Sequence, residues 1–302
     1  MSKWGFVSPT SRTRRAACRL RCTICPKPPL RPDLTRGIDM SKDQDLIYTA
    51  ADGVGHIVLN RPYRRNALTF GMYDRIKEIC GRAGTPDDPD ALRVLIFSGG
   101  GDAAFAAGTD ISQFRTFTSA DAIDYEHRID ATLTMIEECR IPTIGALNGF
   151  CTGGGAAIAA SLDIRIGSRN LKIGAPIART LGNCLAIGNL NRFVRLVGEA
   201  RVKYMLLTAA LIDAEEAASA GFISELHADR DAVLARADEM ARGITELAPL
   251  TLDATKLGLQ RLQAATPLPD DSDLVEQCFG SGDFKEGVSA FFEKRKPDWK
   301  GV

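Results

Sequence analysis

Two segments rich in small residues have the composition and spacing needed for catalysis by backbone groups. One reads Ala104-Phe-Ala-Ala-Gly-Thr-Asp110, and the other reads Asn148-Gly-Phe-Cys-Thr-Gly-Gly-Gly-Ala-Ala157. Three glycines before a helix expose free N–H groups at the positive end of the helix dipole, where a developing oxyanion is stabilised. A tight turn with close helix packing explains such a run equally well, so the glycines alone leave both interpretations open.

Neither segment fits the common phosphate-binding loops. No Gly-Lys-Ser/Thr follows either one, as a Walker loop requires. The stretch from Gly149 to Gly154 also lacks the spacing and the following acid of a dinucleotide-binding turn. The sequence therefore disfavours nucleotide hydrolysis and hydride transfer.

The elements that position these segments alternate between strand-like and helical patterns. Short apolar runs predict strands, and a stripe through Tyr125 and Ile129 predicts a helix that opens at Thr118 and stops at Ile141-Pro142. We expect an α/β core followed by a helical C-terminal part. The predicted strands are 46–50, 54–59, 94–97, 143–147, 163–166 and about 171–173, and the other predicted helices are 70–83, 156–162, 233–247, 252–262 and 274–292.

Composition and charge narrow the function classes. The chain has 302 residues, of which 45% are hydrophobic, with 38 basic and 38 acidic side chains. Residues 1–39 hold nine Lys/Arg and two Asp, a net charge of +7, so the remainder carries −7. No apolar run reaches the ~18 residues of a membrane span, and the acidic body has no basic stripe. We expect no membrane and no nucleic-acid partner.

The first 39 residues differ from the rest of the chain. They mix arginines with prolines and show no apolar period, which predicts a disordered basic leader. A mis-set translation start before Met40 is one interpretation, and a transit peptide is the other. We assign 40–232 to the core and 233–302 to a helical oligomerisation region. The scattered cysteines favour a reducing compartment, so we expect the cytoplasm, or the mitochondrion if the leader is a transit peptide.

The sequence resembles the enoyl-CoA hydratase/isomerase (crotonase) superfamily over roughly residues 45–300. The motifs that carry this resemblance occur in the family's order along the chain. They are Leu59-Asn-Arg-Pro-Tyr-Arg-Arg-Asn-Ala-Leu68, Ala104-Phe-Ala-Ala-Gly-Thr-Asp-Ile111, Ile141-Pro-Thr-Ile-Gly-Ala-Leu-Asn-Gly149 running into the three glycines, Asp163-Ile-Arg-Ile, Ile173-Gly-Ala-Pro176 and Asp283-Phe-Lys-Glu-Gly-Val-Ser-Ala-Phe-Phe-Glu-Lys-Arg-Lys-Pro297.

The resemblance implies both a fold and a chemistry. The fold is a spiral of repeated ββα units with a helical C-terminal region that makes trimers, commonly paired into hexamers. The chemistry is the binding of acyl-CoA thioesters, whose enolate is stabilised by two backbone N–H groups. By position, these donors map to Ala107 and Gly154. Coenzyme A then arrives as part of the substrate, and we expect no other cofactor and no metal.

The sequence departs from the family where its hydratases carry two glutamates. These positions read Ala157 and Ile177, and the aspartate of some family isomerases would fall near Leu185 or Ala186. Ordinary two-glutamate hydration is therefore in doubt. Arg179 and Asn183 are our substitute candidates, the first for a substrate carboxylate or CoA phosphate and the second for a water. Weaker candidates are a nucleophilic Cys184 and a base from Glu126 or His127, each weighed against a purely structural role.

Other residues are candidates for contact with coenzyme A. Arg64 and Arg65 follow the second strand and are suited to phosphates, although paired arginines on a turn are usually just solvated. The resemblance adds Ala67, Thr109, Asp110, Ile111 and Lys294, with Asp110 also a candidate brace for its own loop.

Two functions from different classes remain open. The first is an acyl-CoA enzyme with unorthodox acid and base groups, such as an isomerase, a lyase, a decarboxylase or a thioesterase. The second is an acyl-CoA-binding pseudoenzyme or partner subunit. The two differ in whether a titratable side chain reaches the bound thioester.

Overall fold

Ten strands form two sheets in the part of the chain that the structure describes. A computed structural model describes residues 45–114, 119–265 and 267–301. The larger sheet has the strand order β1-β2-β3-β5-β7-β10, and the smaller has the order β4-β6-β8-β9. The strands are β1 (Leu46–Ala51), β2 (Val54–Leu59), β3 (Val94–Gly99), β4 (Ala104–Ala107), β5 (Thr143–Leu147), β6 (Phe150–Thr152), β7 (Ile164–Ser168), β8 (Lys172–Gly174), β9 (Ile212–Asp213) and β10 (Glu225–His227).

Three consecutive strand pairs build a spiral. The first strand of each pair, β3, β5 or β7, joins the larger sheet, and the second, β4, β6 or β8, joins the smaller one. Pairing within each of these sets is parallel, with Ile96 opposite Ile144 and Ile144 opposite Ile164. Helices connect successive pairs, so the predicted spiral of ββα units is confirmed.

Eleven α-helices lie in the described ranges, and none has the length and apolar character to cross a membrane. Eight of them, α4 to α11, follow the last strand pair of the spiral and form the C-terminal part. The helices are α1 (Phe70–Arg82), α2 (Ser119–Glu137), α3 (Gly154–Ser161), α4 (Ile177–Thr180), α5 (Ile187–Val197), α6 (Glu199–Leu207), α7 (Ala214–Ser219), α8 (Arg230–Thr245), α9 (Pro249–Ala264), α10 (Ser272–Phe279) and α11 (Gly282–Glu293).

Local signals set several of the helix boundaries. Pro249 lies between the predicted helices 233–247 and 252–262, and it occupies the first turn of α9, where its missing N–H costs no hydrogen bond. The segment predicted as one helix over 274–292 divides into α10 and α11, because Ser281 caps α11 by accepting the Phe284 N–H at 3.0 Å. The predicted opening of α2 at Thr118 and the predictions for residues 1–39 lie outside the described residues.

Helix α8 corrects one prediction about assembly. Its apolar stripe of Val233, Ala237 and Ile244 lies in the region 233–302, which the sequence assigns to oligomerisation through a partner subunit. Instead these side chains are buried within the chain, where they pack against Val94 and Ile144 of the larger sheet. An amphipathic pattern shows that a face is buried but does not identify what buries it.

A partly buried ion pair attaches α9 to the spiral. The Lys256 ammonium donates to the Asp163 carboxylate at 2.5 Å and to the Ile141 carbonyl at 2.9 Å. The same carboxylate accepts the Thr143 N–H at 2.8 Å. One carboxylate thus joins α9 to the starts of β5 and β7, and removing it would leave the buried Lys256 ammonium without its counter-charge.

Asn66 holds the loop after β2 against the turn between β3 and β4. Its side-chain oxygen accepts the Arg61 N–H at 2.9 Å, and its amide donates to the carbonyls of Gly100 at 3.0 Å and Ala104 at 2.8 Å. The side chain is fully buried, and its backbone has a positive φ of 57°. This residue therefore fixes the backbone of Arg65 beside β4.

Replacing Asn66 should destabilise the fold. We expect Asn66→Ala to lower the free energy of unfolding by about 2–4 kcal/mol, because three buried polar groups lose their partner. Urea unfolding followed by circular dichroism measures this loss. Asn66→Gly is the control that tolerates the positive φ but lacks the amide, and a native-like stability in this variant would show that the hydrogen bonds contribute little.

Candidate active site

The ends of β4 and β6 bring the two small-residue segments together. These strands pair in parallel with Ala107 opposite Thr152, so the following glycines lie at the same sheet edge. A Cβ atom on Gly153 would lie 3.3 Å from the Gly108 Cα. The two segments therefore meet backbone to backbone at the start of α3.

Two glycines of the triplet are required by close packing. A Cβ on Gly155 would lie 2.3 Å from the Ala106 carbonyl oxygen. A Cβ on Gly154 would lie 2.2 Å from the Tyr73 hydroxyl and 2.9 Å from the Thr109 hydroxyl. Any side chain at either position would displace the neighbouring segment, so the structural and catalytic interpretations of the glycines hold at once.

Two backbone N–H groups at this junction have no acceptor among the described residues. Gly154 is the first residue of α3, and its N–H lies at the positive end of the helix dipole. Thr109 lies in a parallel bridge with Leu68. The Leu68 N–H donates to the Gly108 carbonyl at 2.9 Å, and the Asp110 N–H donates to the Leu68 carbonyl at 2.8 Å. The Thr109 N–H between them is left free for a ligand.

This geometry corrects the assignment of Ala107 as an oxyanion donor. The Ala107 N–H donates to the Arg65 carbonyl at 2.9 Å and is therefore engaged within the protein. In the parallel bridge beside it the Asp110 N–H is engaged as well, whereas the Thr109 N–H has no acceptor among the described residues. The free donor is consequently Thr109, two residues further along the chain.

A chain of three hydroxyl groups supports the Thr109 loop. The Thr109 hydroxyl lies 3.0 Å from the hydroxyl of Tyr73 on α1 and 3.0 Å from that of Tyr125 on α2. Burial raises the pKa of both tyrosines well above the ordinary value, so both remain neutral. The network joins two helices to the loop without adding charge.

A cavity of about 370 Å³ opens in front of the two free N–H groups. Most of its wall is apolar, and both substituted glutamate positions, Ala157 and Ile177, belong to it. The remaining wall includes aromatic and aliphatic side chains with a few polar groups. They include Arg65, Ile111, Phe114, Tyr125, Glu126, Ile129, Phe150, Asn183, Cys184, Leu185, Asn189, Leu211 and Phe291.

Glu126 is the one carboxyl group among the described residues of the cavity wall. It lies on α2, next to Tyr125 of the hydroxyl chain, and only 8% of the residue is exposed. Burial, followed by the charges of Asp271 and Asp130, raises its pKa to about 8. No hydrogen-bond or ion-pair partner holds its carboxylate within the described ranges. A carboxyl with this pKa exchanges protons readily near neutral pH.

Asn183 and Arg179, the candidates to replace the two absent glutamates, lie in different places. Asn183 lines the cavity, and its amide donates to the Cys184 carbonyl at 3.3 Å while its buried side-chain oxygen has no partner. Arg179 is exposed on α4 and is absent from the described cavity wall. The structure therefore does not place Arg179 where a substrate carboxylate in this cavity would meet it.

Cys184 and His127 lack the features of a nucleophile and a base. Cys184 lines the cavity, but burial raises the pKa of its thiol, which disfavours the reactive thiolate. His127 is exposed and lies outside the described wall of this cavity. Glu126, one residue earlier on α2, is the group that enters the site.

The candidates for coenzyme A contact divide between the cavity wall and the surface. Arg65 and Ile111 line the cavity, and the Arg65 guanidinium lies 5.1 Å from the centre of the Phe150 ring. Arg64 and Lys294 are exposed and stand outside the described wall.

Asp110 has the contacts of a loop brace. Its carboxylate pairs with Arg61 at 2.9 Å and accepts from Ser112. Partial burial alone would raise its pKa, but the hydrogen bonds from Ser112 and Arg61 lower it below the ordinary value. Arg61 also donates to the Ala67 carbonyl at 2.7 Å, so Asp110, Arg61 and Ala67 form one connected support.

Comparison with known proteins agrees with this architecture. The family model for enoyl-CoA hydratase/isomerase matches residues 49–302. A short-chain-enoyl-CoA hydratase from Clostridium acetobutylicum is 32% identical over 246 residues, covering 80% of this chain and 92% of that protein. A solved enoyl-CoA hydratase/carnithine racemase from Magnetospirillum magneticum has 30% identity and a TM-score of 0.68, covering 85% of this chain and 96% of its own.

A more distant structure shows likeness of fold alone. It is a methylmalonyl-CoA decarboxylase, with 24% identity and a TM-score of 0.76, and the match covers 86% of this chain and 99% of that one. Together with the family match, these findings define a crotonase-type fold. The chain belongs to the enoyl-CoA hydratase/isomerase family of enzymes.

The raised pKa of Glu126 should appear in the pH dependence of stability. The folded carboxyl holds its proton up to a pKa of about 8, whereas the unfolded one releases it near 4.5, so this group's stabilising contribution is lost as pH rises between these values. We expect Glu126→Gln to raise the Tm at pH 9 by on the order of 5 °C and to leave it unchanged at pH 4. Scanning calorimetry measures both values.

The matched control is Asp124→Asn, which removes an exposed carboxyl from the same helix. Its Tm should follow the wild type at both pH values. Equal Tm values for Glu126→Gln and wild type across the whole pH range would contradict the burial of an unpaired carboxyl.

Proposed function

We propose that the enzyme binds acyl-CoA thioesters, forms their enolates and moves one proton between carbon atoms with Glu126. This activity is double-bond isomerisation of an enoyl-CoA rather than hydration. The observation that carries the proposal is a single buried carboxyl, with a pKa of about 8, in an otherwise apolar wall beside two free backbone N–H groups. Coenzyme A belongs to the substrate, and the proposed chemistry needs no resident cofactor.

The two free N–H groups are the proposed oxyanion donors. A thioester oxygen between Thr109 and Gly154 would accept both N–H groups and carry the negative charge of the enolate. The low polarity of the cavity strengthens these interactions, and losing one such donor typically costs about 10²–10³ in kcat. Backbone donors also explain why glycine and other small residues occupy this site, since larger side chains would keep the thioester carbonyl away from the N–H groups.

Glu126 supplies the proposed acid and base. Its carboxylate takes a proton from C2 of a 3-enoyl thioester, and the C–H electrons move into the enolate. The resulting carboxylic acid gives this proton to C4, and the double bond shifts to C2–C3. One group performs both transfers, so the reaction needs neither of the two glutamates that are absent here.

Hydration is disfavoured by the same wall. Ala157 and Ile177 offer no hydrogen bond to an attacking water, and holding a water in an apolar site without partners is costly. A pseudoenzyme that only binds acyl-CoA would also have this apolar wall, but it would have no use for a buried, unpaired carboxyl. Glu126 therefore favours an active enzyme.

Two neighbouring arginines, Arg64 and Arg65, are placed to contact coenzyme A. Arg65 lies in the cavity wall, stacked over Phe150 at 5.1 Å, and Arg64 is exposed beside it. We propose that these two arginines meet the CoA phosphates, which suits the fixed charge of the guanidinium group. Lys294, Ala67, Ile111 and a direct ligand role for Asp110 remain predictions from the family resemblance.

Isomerisation and hydration can be measured on matched substrates. We expect wild-type protein to convert 3-hexenoyl-CoA to 2-hexenoyl-CoA, and to hydrate crotonyl-CoA at least ~10²-fold more slowly than it isomerises. Glu126→Gln should lower the isomerisation kcat by about 10²–10⁴ with little change in KM, because the substrate contacts remain. Absorbance of the 2-enoyl thioester follows both reactions.

The pH profile and a control complete this test. The value of kcat/KM should rise about tenfold per pH unit below the Glu126 pKa of about 8 and then level off, because only the carboxylate abstracts the proton. Asp124→Asn should keep wild-type rates. Efficient crotonyl-CoA hydration, or undiminished isomerisation by Glu126→Gln, would refute the proposed activity.

We propose that the protein assembles as a homotrimer or a dimer of trimers through α9. This helix exposes three leucines, which form an apolar surface of the kind that subunit interfaces bury. They are Leu250 at 80%, Leu259 at 56% and Leu262 at 74% exposure.

Light scattering of the purified protein should give the mass of a trimer or hexamer, and Leu262→Glu should shift the measured mass toward that of the monomer. Tyr204→Ser, at an exposed aromatic on α6, is the control expected to leave the mass unchanged.

The proposed location follows from the sequence rather than from this geometry. We infer the cytoplasm, with the mitochondrion as the alternative if residues 1–39 act as a transit segment.

A further inference from the structure

A second cavity lies behind Glu126. Its volume is about 170 Å³, and it is enclosed by α2, the start of α5 and the start of α10. Glu126 belongs to the walls of both cavities, and it is the one residue that the two described walls share. Its carboxyl therefore separates a front cavity, which faces the oxyanion donors, from this rear cavity.

The rear cavity has a larger polar share in its wall than the front cavity. Titratable groups face it from two elements, with His127 and Asp130 on α2 and Asp271 at the start of α10. Arg192 of α5 donates to Asp130 at 2.6 Å, and the Asp271 carboxylate accepts the Ile187 N–H. These carboxylates are thus held in place, and both act on Glu126 electrostatically.

The rear cavity also reaches the protein surface. His127 is exposed, and Leu268 in the same wall is 44% exposed. A single water needs about 10–15 Å³ and two or more polar partners, so this space accommodates several waters along its polar side. The front cavity, in contrast, would be filled by the acyl chain during catalysis.

We propose that the rear cavity is a water-filled route through which the Glu126 carboxyl exchanges its proton with solvent while acyl-CoA occupies the front cavity. This inference rests on the proposed proton transfer by Glu126. The C2–H bond breaks as the carboxylate takes the proton, the new O–H exchanges with water in the rear cavity, and the exchanged proton then forms the bond to C4. Without the route, the same proton would pass from C2 to C4.

The experiment measures deuterium incorporation per turnover during 3-hexenoyl-CoA isomerisation in D₂O. Two variants narrow the rear cavity without touching the front one. Ala186→Leu adds three carbon atoms next to the start of α5, and Ser272→Leu enlarges a side chain at the start of α10 on the opposite wall. We expect each variant to lower deuterium incorporation per turnover at least threefold while kcat stays within twofold. The controls Ala186→Ser and Ser272→Ala keep the space open and should incorporate deuterium like the wild type.

The outcomes separate this inference from the proposed function. Wild-type deuterium incorporation in Ala186→Leu and Ser272→Leu, or isomerisation by the wild type without any incorporation, would overturn the rear route and leave the isomerase proposal standing. A wild-type protein that neither isomerises nor exchanges would refute both. If Ala186→Leu fails to fold by circular dichroism, Ser272→Leu on the half-exposed start of α10 decides the question.

Discussion

The contact between Gly155 and the Ala106 carbonyl is the constraint on which the rest of the site depends. It sets the start of α3 against the end of β4, so Gly154 and Thr109 lie next to each other in the cavity wall. The other end of α3 is equally fixed, because the buried Arg165 guanidinium donates to the carbonyls of Ala159 and Leu162. Burial lowers the pKa of Arg165 to about 10, which leaves it charged at neutral pH. This short helix is thereby held at both ends before any ligand binds.

Electrostatic preorganisation follows from this rigidity. The Thr109 loop is tied to α1 and α2 through neutral tyrosine hydroxyls, and its Asp110 brace keeps its charge outside the cavity wall. The cavity wall therefore contains two free N–H dipoles and few competing charges. In such surroundings a developing oxyanion gains more from each N–H than it would in water, and little reorganisation accompanies the reaction.

Much of the fold could be predicted from apolar patterning, and the failures have physical causes. Strands such as Thr143–Leu147 are long enough to show an apolar pattern. Strand β6 has only three residues, so it is identified by its pairing with β4 in the structure rather than by its sequence. The α8 stripe predicted burial correctly, but its partner is a sheet formed by strands far away in sequence.

The site was predicted in outline and missed in two particulars. The glycine triplet and Gly154 were identified because packing restricts their residue type. The free N–H of Thr109, two residues after Ala107, was not predicted, since the direction of an N–H depends on the bridge to Leu68, which composition does not reveal. Glu126 was recognised as a weak candidate on its helix, but only the tertiary structure shows that its carboxyl borders the cavity and lacks a partner.

The placement of a lone carboxyl on one wall of the front cavity has a stereochemical consequence. In the proposed reaction the enolate held by Thr109 and Gly154 is planar, and Glu126 lies on one side of the cavity only. The proton that leaves C2 and the proton that reaches C4 therefore cross the same face of the dienolate. The proposed isomerisation is therefore suprafacial, and a chirally deuterated thioester would keep that facial relationship in its product.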